Sequence, residues 1–168
     1  GDVRWKLALA YFNAKKNKLS IEEARKSIQL NPNQFQPHIV LADNLYLLKK
    51  EEQALKEYQL ALSLNPEYID AYRAIGNIHY ISKKYKEAID AFTTYLQKFP
   101  KDFKIIRRLG TVYIDAGQTQ DAIKILKKAK EINPEDGDVR WKLALAYFNA
   151  EKNKLSIEEA RKSIQLNP

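Results

Sequence analysis

The chain has 168 residues, no cysteine, no methionine and two histidines, His38 and His79; its 29 basic and 21 acidic residues leave a net charge of +8. Without cysteine there are no disulfides and no thiolate chemistry, and without paired histidines a zinc site is not expected, nor is any other cofactor. No apolar run approaches the ~18 residues needed to span a bilayer, and no charged start, apolar stretch and cleavage site form a signal peptide, so a cytoplasmic protein with no membrane partner is expected. From Gly1 as first residue and the lack of methionine, a trimmed or engineered product is expected.

Residues 1–32 and 137–168 are nearly the same sequence, differing only at Lys15 and Glu151. The copies lie 136 residues apart, four periods of 34. A period near 34 marks a chain of stacked helical hairpins, so one domain over 1–168 is predicted, with repeats 1–34, 35–68, 69–102, 103–136 and 137–168.

In the first repeat Ser20 stands three residues before Glu23, the pattern of a capping box, which predicts a second helix starting near Ile21. Pro32 stops that helix, as Pro66 does in the second repeat, since proline lacks an amide donor and clashes with the preceding turn. The third repeat carries apolar residues at helical spacing over roughly 70–82 (Ala71, Tyr72, Ile75, Ile78, His79) and 86–98 (Ala88, Ile89, Phe92, Tyr95, Leu96). Lys83-Lys84-Tyr85 joins them and Pro100 ends the second. In the fourth, Gly117 is placed to end the first helix in a left-handed conformation, and Pro134 ends the second. The fifth repeats the first, with Ser156, Glu159, a second helix predicted from near Ile157, and Pro168.

Small residues recur at fixed phase. Gly76 and Gly110 share a position with Ala8, Ala42 and Ala144; Ala54, Ala88 and Ala122 share one with Ser20 and Ser156; Ala61 and Ala129 share one with Ser27 and Ser163. Such recurrence predicts close helix contacts, which Tyr95 at the third position should widen.

This pattern resembles the tetratricopeptide repeat, W-x2-L-G-x2-Y, A-x3-F, P over 34 residues. The third repeat supplies Tyr72, Ile75, Gly76, His79, Ala88, Phe92 and Pro100. The fourth supplies Ile106, Leu109, Gly110, Tyr113, Ala122, Leu126 and Pro134, and the second His38, Leu41, Ala42, Leu45, Ala54, Tyr58 and Pro66. The first and fifth depart, with Arg4 and Arg140 where an aromatic is usual and Trp5 and Trp141 one step on. The resemblance implies an all-α fold, a right-handed superhelical α-solenoid of five antiparallel hairpins. First helices would line a concave groove that binds peptides or segments of other proteins.

Carried onto this chain, the family's groove positions give an aromatic set and a basic set. Trp5, Phe12, Tyr46, Tyr80, Trp141 and Phe148 would anchor a bound helix or extended peptide. Arg73, Arg107 and Arg108, with Lys104 and Lys142 nearby, would favour an acidic ligand, because guanidinium groups bind carboxylates in bidentate fashion. Arg73, Asn77, Arg108 and Lys142 are similar to four members of a five-residue carboxylate clamp in the family, and Asp138 replaces the lysine expected fifth.

Lysines in the turns (Lys15, Lys16, Lys18; Lys49, Lys50; Lys83, Lys84, Lys86) could track phosphates, but no nucleic-acid motif accompanies them, so a nucleic-acid partner is not expected. No glycine-rich phosphate loop and no catalytic constellation is spaced in the sequence, so no enzymatic activity is expected. Near-identity of the end repeats points to one period of a longer natural array or to deliberate assembly. No extra capping helix is expected at either end, so end-to-end self-association, through Val3, Leu7 and Tyr11 at one end and Leu155, Ile157, Ala160 and Ile164 at the other, is the expected alternative to a peptide-binding scaffold.

Overall fold

The computed structural model describes residues 3–166. Among the described residues the chain is ten α-helices and no strand. They are α1 (Arg4–Asn13), α2 (Asn17–Leu30), α3 (Phe35–Leu47), α4 (Glu51–Leu64), α5 (Asp70–Ile81), α6 (Tyr85–Lys98), α7 (Phe103–Asp115), α8 (Thr119–Ile132), α9 (Gly137–Asn149) and α10 (Asn153–Leu166). Two helices fall in each predicted repeat. Pro32, Pro66, Pro100 and Pro134 sit in the loops between hairpins, as their chemistry requires; Pro168 lies outside the described residues.

The turn inside each hairpin recurs too. Lys15, Lys49, Lys83, Gly117 and Glu151 all have φ between 56° and 71°, one per repeat at the same phase. Gly117 thus takes the left-handed role its residue type predicts. The single difference between the duplicated ends, Lys15 against Glu151, falls on this exposed turn.

The capping-box reading of Ser20 and Ser156 is corrected. The second helices of those repeats start at Asn17 and Asn153, so both serines lie within helices. Ser20 is fully buried, and its hydroxyl donates to the Ala8 carbonyl of α1 at 2.8 Å; Ser156 donates to the Ala144 carbonyl at 2.9 Å. The close approach of paired helices, shared with Ala54, Ala88 and Ala122, sets this position.

Repeat positions that depart from the aromatic pattern do so in pairs. Arg4 meets Glu23 at 3.0 Å, His38 Nδ1 lies 2.7 Å from Glu57, and Arg140 meets Glu159 at 2.9 Å, each across the two helices of one hairpin. In the fourth repeat the same two positions hold Ile106 and Ile125. A polar pair has replaced an apolar one.

The chain divides into two compact units, residues 1–78 and 79–168. In the first, α1 packs on α2, α2 on α3 and α3 on α4, with α1 beside α3. Its core holds Ala8, Ala24, Leu41, Ala42, Leu45, Ala54, Tyr58 and Ala61. In the second, α6 to α10 follow the same succession, with α7 beside α9. Its core joins Ala122, Ile123, Leu126, Leu143, Ala146 and Tyr147, and beside them Ile106, Ala129 and Val139. Gly110 is needed there, because a Cβ would stand 2.4 Å from Leu126 Cδ2. Tyr95 is buried at its small-residue position, its ring 4.9 Å from that of Phe99 and its hydroxyl donating to Asp102, which also caps α7 through the Ile105 amide.

Candidate functional site

In each unit the first helices of successive repeats lie side by side, α1 with α3 and α7 with α9, and these carry most of the sequence-predicted residues. In the first unit Trp5, Phe12 and Tyr46 are partly buried, and the Lys6 ammonium lies 5.7 Å from the Trp5 ring. Arg73 is exposed and Asn77 partly buried on α5. Asp43 of α3 accepts a hydrogen bond from the Tyr58 hydroxyl of α4. Burial raises the Asp43 carboxyl above its ordinary value, against the Tyr58 hydrogen bond and the positive charge of Arg73. The same burial, with the carboxylate beside it, drives the Tyr58 phenol upward.

In the second unit Tyr80 donates to Asp115 Oδ2 at 2.7 Å, and the Arg108 guanidinium lies 5.6 Å from the Tyr80 ring. Burial and then the Asp115 hydrogen bond push the Tyr80 phenol up to about 12. Arg107 reaches Asp136 at 3.3 Å and Asp138 at 3.5 Å, with its guanidinium 5.7 Å from the Phe103 ring. Lys142 pairs with Asp138, one helical turn away. Asp136 holds the start of α9 by accepting from the Val139 amide at 2.8 Å. Arg107 and Lys142 are therefore matched by two carboxylates.

Of the predicted basic set, Arg107 and Lys142 come together through Asp138, and Arg108 stands exposed one residue on. Arg73 and Asn77 belong to the first unit, Arg108 and Lys142 to the second. The sequence pointed to the cations but not to Asp136 and Asp115 as their neighbours. Asp136 was findable as an N-cap residue just ahead of α9.

The aromatic set differs sharply in exposure. Trp141 is 55% and Phe148 64% exposed. They stand seven residues apart on α9, two turns along one face, with Leu145 partly buried between them. His79, partly buried, has its imidazole pKa lowered by burial, against the pull of Glu87. No helix among the described residues is long and apolar enough to cross a membrane.

Helix hairpins at a 34-residue period, small residues at their crossings and an exposed aromatic stripe on a first helix define a helical-repeat protein. Tetratricopeptide-repeat family models match residues 79–146 and 113–161, 41–103, and 1–34. The chain belongs to the tetratricopeptide-repeat family and has its all-α solenoid fold. No curated protein matches it in sequence. Among solved structures it is similar to YrrB, described as a TPR protein with an unusual peptide-binding site, at 14% identity over 98% of this chain and 85% of that one, with a TM-score of 0.93. It is also similar to MamA from Desulfovibrio magneticus RS-1, residues 41 to the end, at 20% identity over 99% and 96% of the two chains, TM-score 0.87. A third similarity is to MamA AMB-1, at 15% identity over 98% and 90%, TM-score 0.91.

Proposed function

We propose that this chain is a non-catalytic scaffold that binds a segment of another protein on the exposed side of its first helices, with α7 and α9 as the main seat. The observation that carries this reading is the pair Trp141 and Phe148, large rings left in solvent two turns apart. An amphipathic helix or extended strand presents apolar side chains at such a spacing, and buried rings contribute disproportionately to binding. The groove use known in the family and the peptide-binding site named for YrrB support the same reading. Arg108, exposed beside Tyr80, supplies a cation for an acidic residue of the ligand, and the net charge of +8 favours approach of acidic segments.

A library of apolar-anchored peptides, with and without acidic residues, tests this. A specific hit should quench or shift Trp141 fluorescence in a Trp5→Phe background. It should weaken about tenfold or more in Trp141→Ala and in Phe148→Ala. Arg108→Glu should weaken acidic peptides only. Hits indifferent to both ring truncations would overturn the reading.

A further inference from the structure

The third repeat closes differently from every other. The first, second, fourth and fifth end Leu30-Asn31-Pro32, Leu64-Asn65-Pro66, Ile132-Asn133-Pro134 and Leu166-Asn167-Pro168; the third ends Lys98-Phe99-Pro100. After the proline stand Asn33, Glu67 and Glu135 in the other repeats, and Lys101 in this one. Tyr95 takes the place of Ser27, Ala61, Ala129 and Ser163. Residues 95–101 thus carry two rings and two positive charges at positions that hold neither elsewhere.

The four changes meet in space. The Tyr95 and Phe99 rings lie 4.9 Å apart, inclined at 39°. With Lys98, Pro100, Lys101 and Asp102 they line a hollow of 440 Å³, at the small end of volumes that hold a ligand group. Tyr95 is buried, Phe99 is 39% exposed, and both lysines stand exposed. Asp102 is engaged elsewhere: its Oδ2 accepts from the Tyr95 hydroxyl at 2.9 Å and its Oδ1 from the Ile105 amide at 3.2 Å. Neither lysine has an ion-pair partner among the described residues. The hollow lies wholly within the second compact unit.

Stability alone does not account for this set. In the first two repeats the asparagine side chain holds the loop. Asn31 Oδ1 accepts from the Asn33 amide and Asn65 Oδ1 from the Glu67 amide, each at 3.2 Å. Phe99 gives up that bond and leaves a large ring partly in water. Lys98 sits in the last turn of α6, where the helix dipole favours a cation. Lys101 lies between α6 and α7 and gains nothing of that kind. An open ring between two unpaired cations suits a ligand that is apolar at its centre and acidic at its edges.

We propose that residues 95–102 form a second interaction site, which takes one large apolar side chain from an acidic segment of a partner protein. The side chain rests on the Tyr95 and Phe99 rings, and carboxylates on either side of it pair with Lys98 and Lys101. The hollow has room for one side chain, not for a helix. Charge complementarity selects the occupant, because the two lysines repel a basic segment and give a neutral one nothing to pair with. The site uses no residue of the α7 and α9 face and stands whether or not that face binds peptide.

Subtractive selection from a displayed library of short random peptides tests this. Peptides are kept if they bind the unmodified chain and discarded if they also bind Phe99→Asn. That variant restores the residue of the other repeats, so its helical circular dichroism should be retained. Survivors should carry one Trp, Phe, Leu or Met among Asp and Glu. Made synthetically, they should bind at least about tenfold more weakly to Phe99→Asn and to Lys98→Glu with Lys101→Glu. Trp141→Ala and Phe148→Ala should leave their affinity unchanged, which separates this site from the α9 face. An empty selection, survivors without acidic residues, or survivors that bind through Trp141 would overturn the proposal. So would peptides that tolerate alanine in place of their apolar residue, since charge attraction alone would then suffice. An oligothymidylate that displaces the peptides and depends on Phe99 would make the site a stacking platform for nucleic acid, and would overturn it too. If Phe99→Asn loses its helices, subtraction against the Lys98→Glu, Lys101→Glu chain decides by the same outcomes.

Discussion

Glu23 and Glu159 are the same residue of the same repeat sequence, and their surroundings set two different energies. Glu159 is 4% exposed and holds Lys130 at 2.6 Å and Arg140 at 2.9 Å. Glu23 is only partly buried and pairs with Arg4 and Lys26, both well exposed. Removing one member of a buried network leaves uncompensated charge, whereas an exposed pair contributes little. Glu159→Gln should lower stability by about 2–3 kcal/mol and Glu23→Gln by much less, read from urea midpoints. Asp43 gives a pH-dependent counterpart. Its folded pKa is raised above the ordinary 3.8, mainly by burial, so the folded state holds the proton more tightly than the unfolded chain. Stability from this group therefore falls as pH rises through 3.8 to the folded value, and the cost of the buried charge is fully present above it. Asp43→Asn can keep an acceptor for Tyr58 without that cost. Its stability relative to the unmodified chain should increase between about pH 3 and about pH 7; a constant difference across that range would show that burial is not what raises the group.

Among the elements, the hairpin turns carry the clearest strain. Lys15, Lys49, Lys83 and Glu151 occupy the left-handed region where an L side chain costs roughly 1–2 kcal/mol, and glycine gives back part of that as chain entropy. Each substitution to glycine should raise stability by about 0.5–1 kcal/mol, while Gly117→Ala should lower it by about 1 kcal/mol. Nothing crowds Gly117 within 4 Å, so its cost is backbone strain alone. Gly110→Ala should also destabilise, for the other reason: the new methyl meets Leu126, and overpacking of this kind costs about 1–3 kcal/mol. Thermal melts of the six single variants separate the two causes. These elements were largely legible in the sequence. Prolines at a fixed phase and helical spacing of apolar residues placed the third repeat's helices within two residues of α5 and α6. Ser20 was misplaced because Ser-x-x-Glu carries two physical meanings. The local one, a cap, lost to the tertiary one, a small residue at a helix crossing. The partners of Arg107 were not legible, since Asp136 lies 29 residues away and is brought near only by the packing of α9 beside α7.

At the scale of the whole molecule, the duplicated ends separate what sequence specifies from what position supplies. Leu7 is 43% exposed and Leu143 fully buried; Ala8 and Ala144 are both buried. The inward face of each copy is thus set by its own hairpin, and the outward face by whichever repeat stands next to it. No local reading of identical residues could foresee that difference, because it is a property of the neighbour. In a chain where each repeat touches only its neighbours, opening starts at the uncovered faces and moves inward. Amide hydrogen exchange followed by NMR makes the comparison without a sequence correction. Amides of α9 should exchange at least about tenfold more slowly than the same residues of α1, and amides of α2 more slowly than those of α10. The two orderings run in opposite directions along the chain, so fraying of one terminus cannot produce both. Equal rates in the paired helices would mean that the hairpin alone sets protection and that neighbouring repeats add nothing to it.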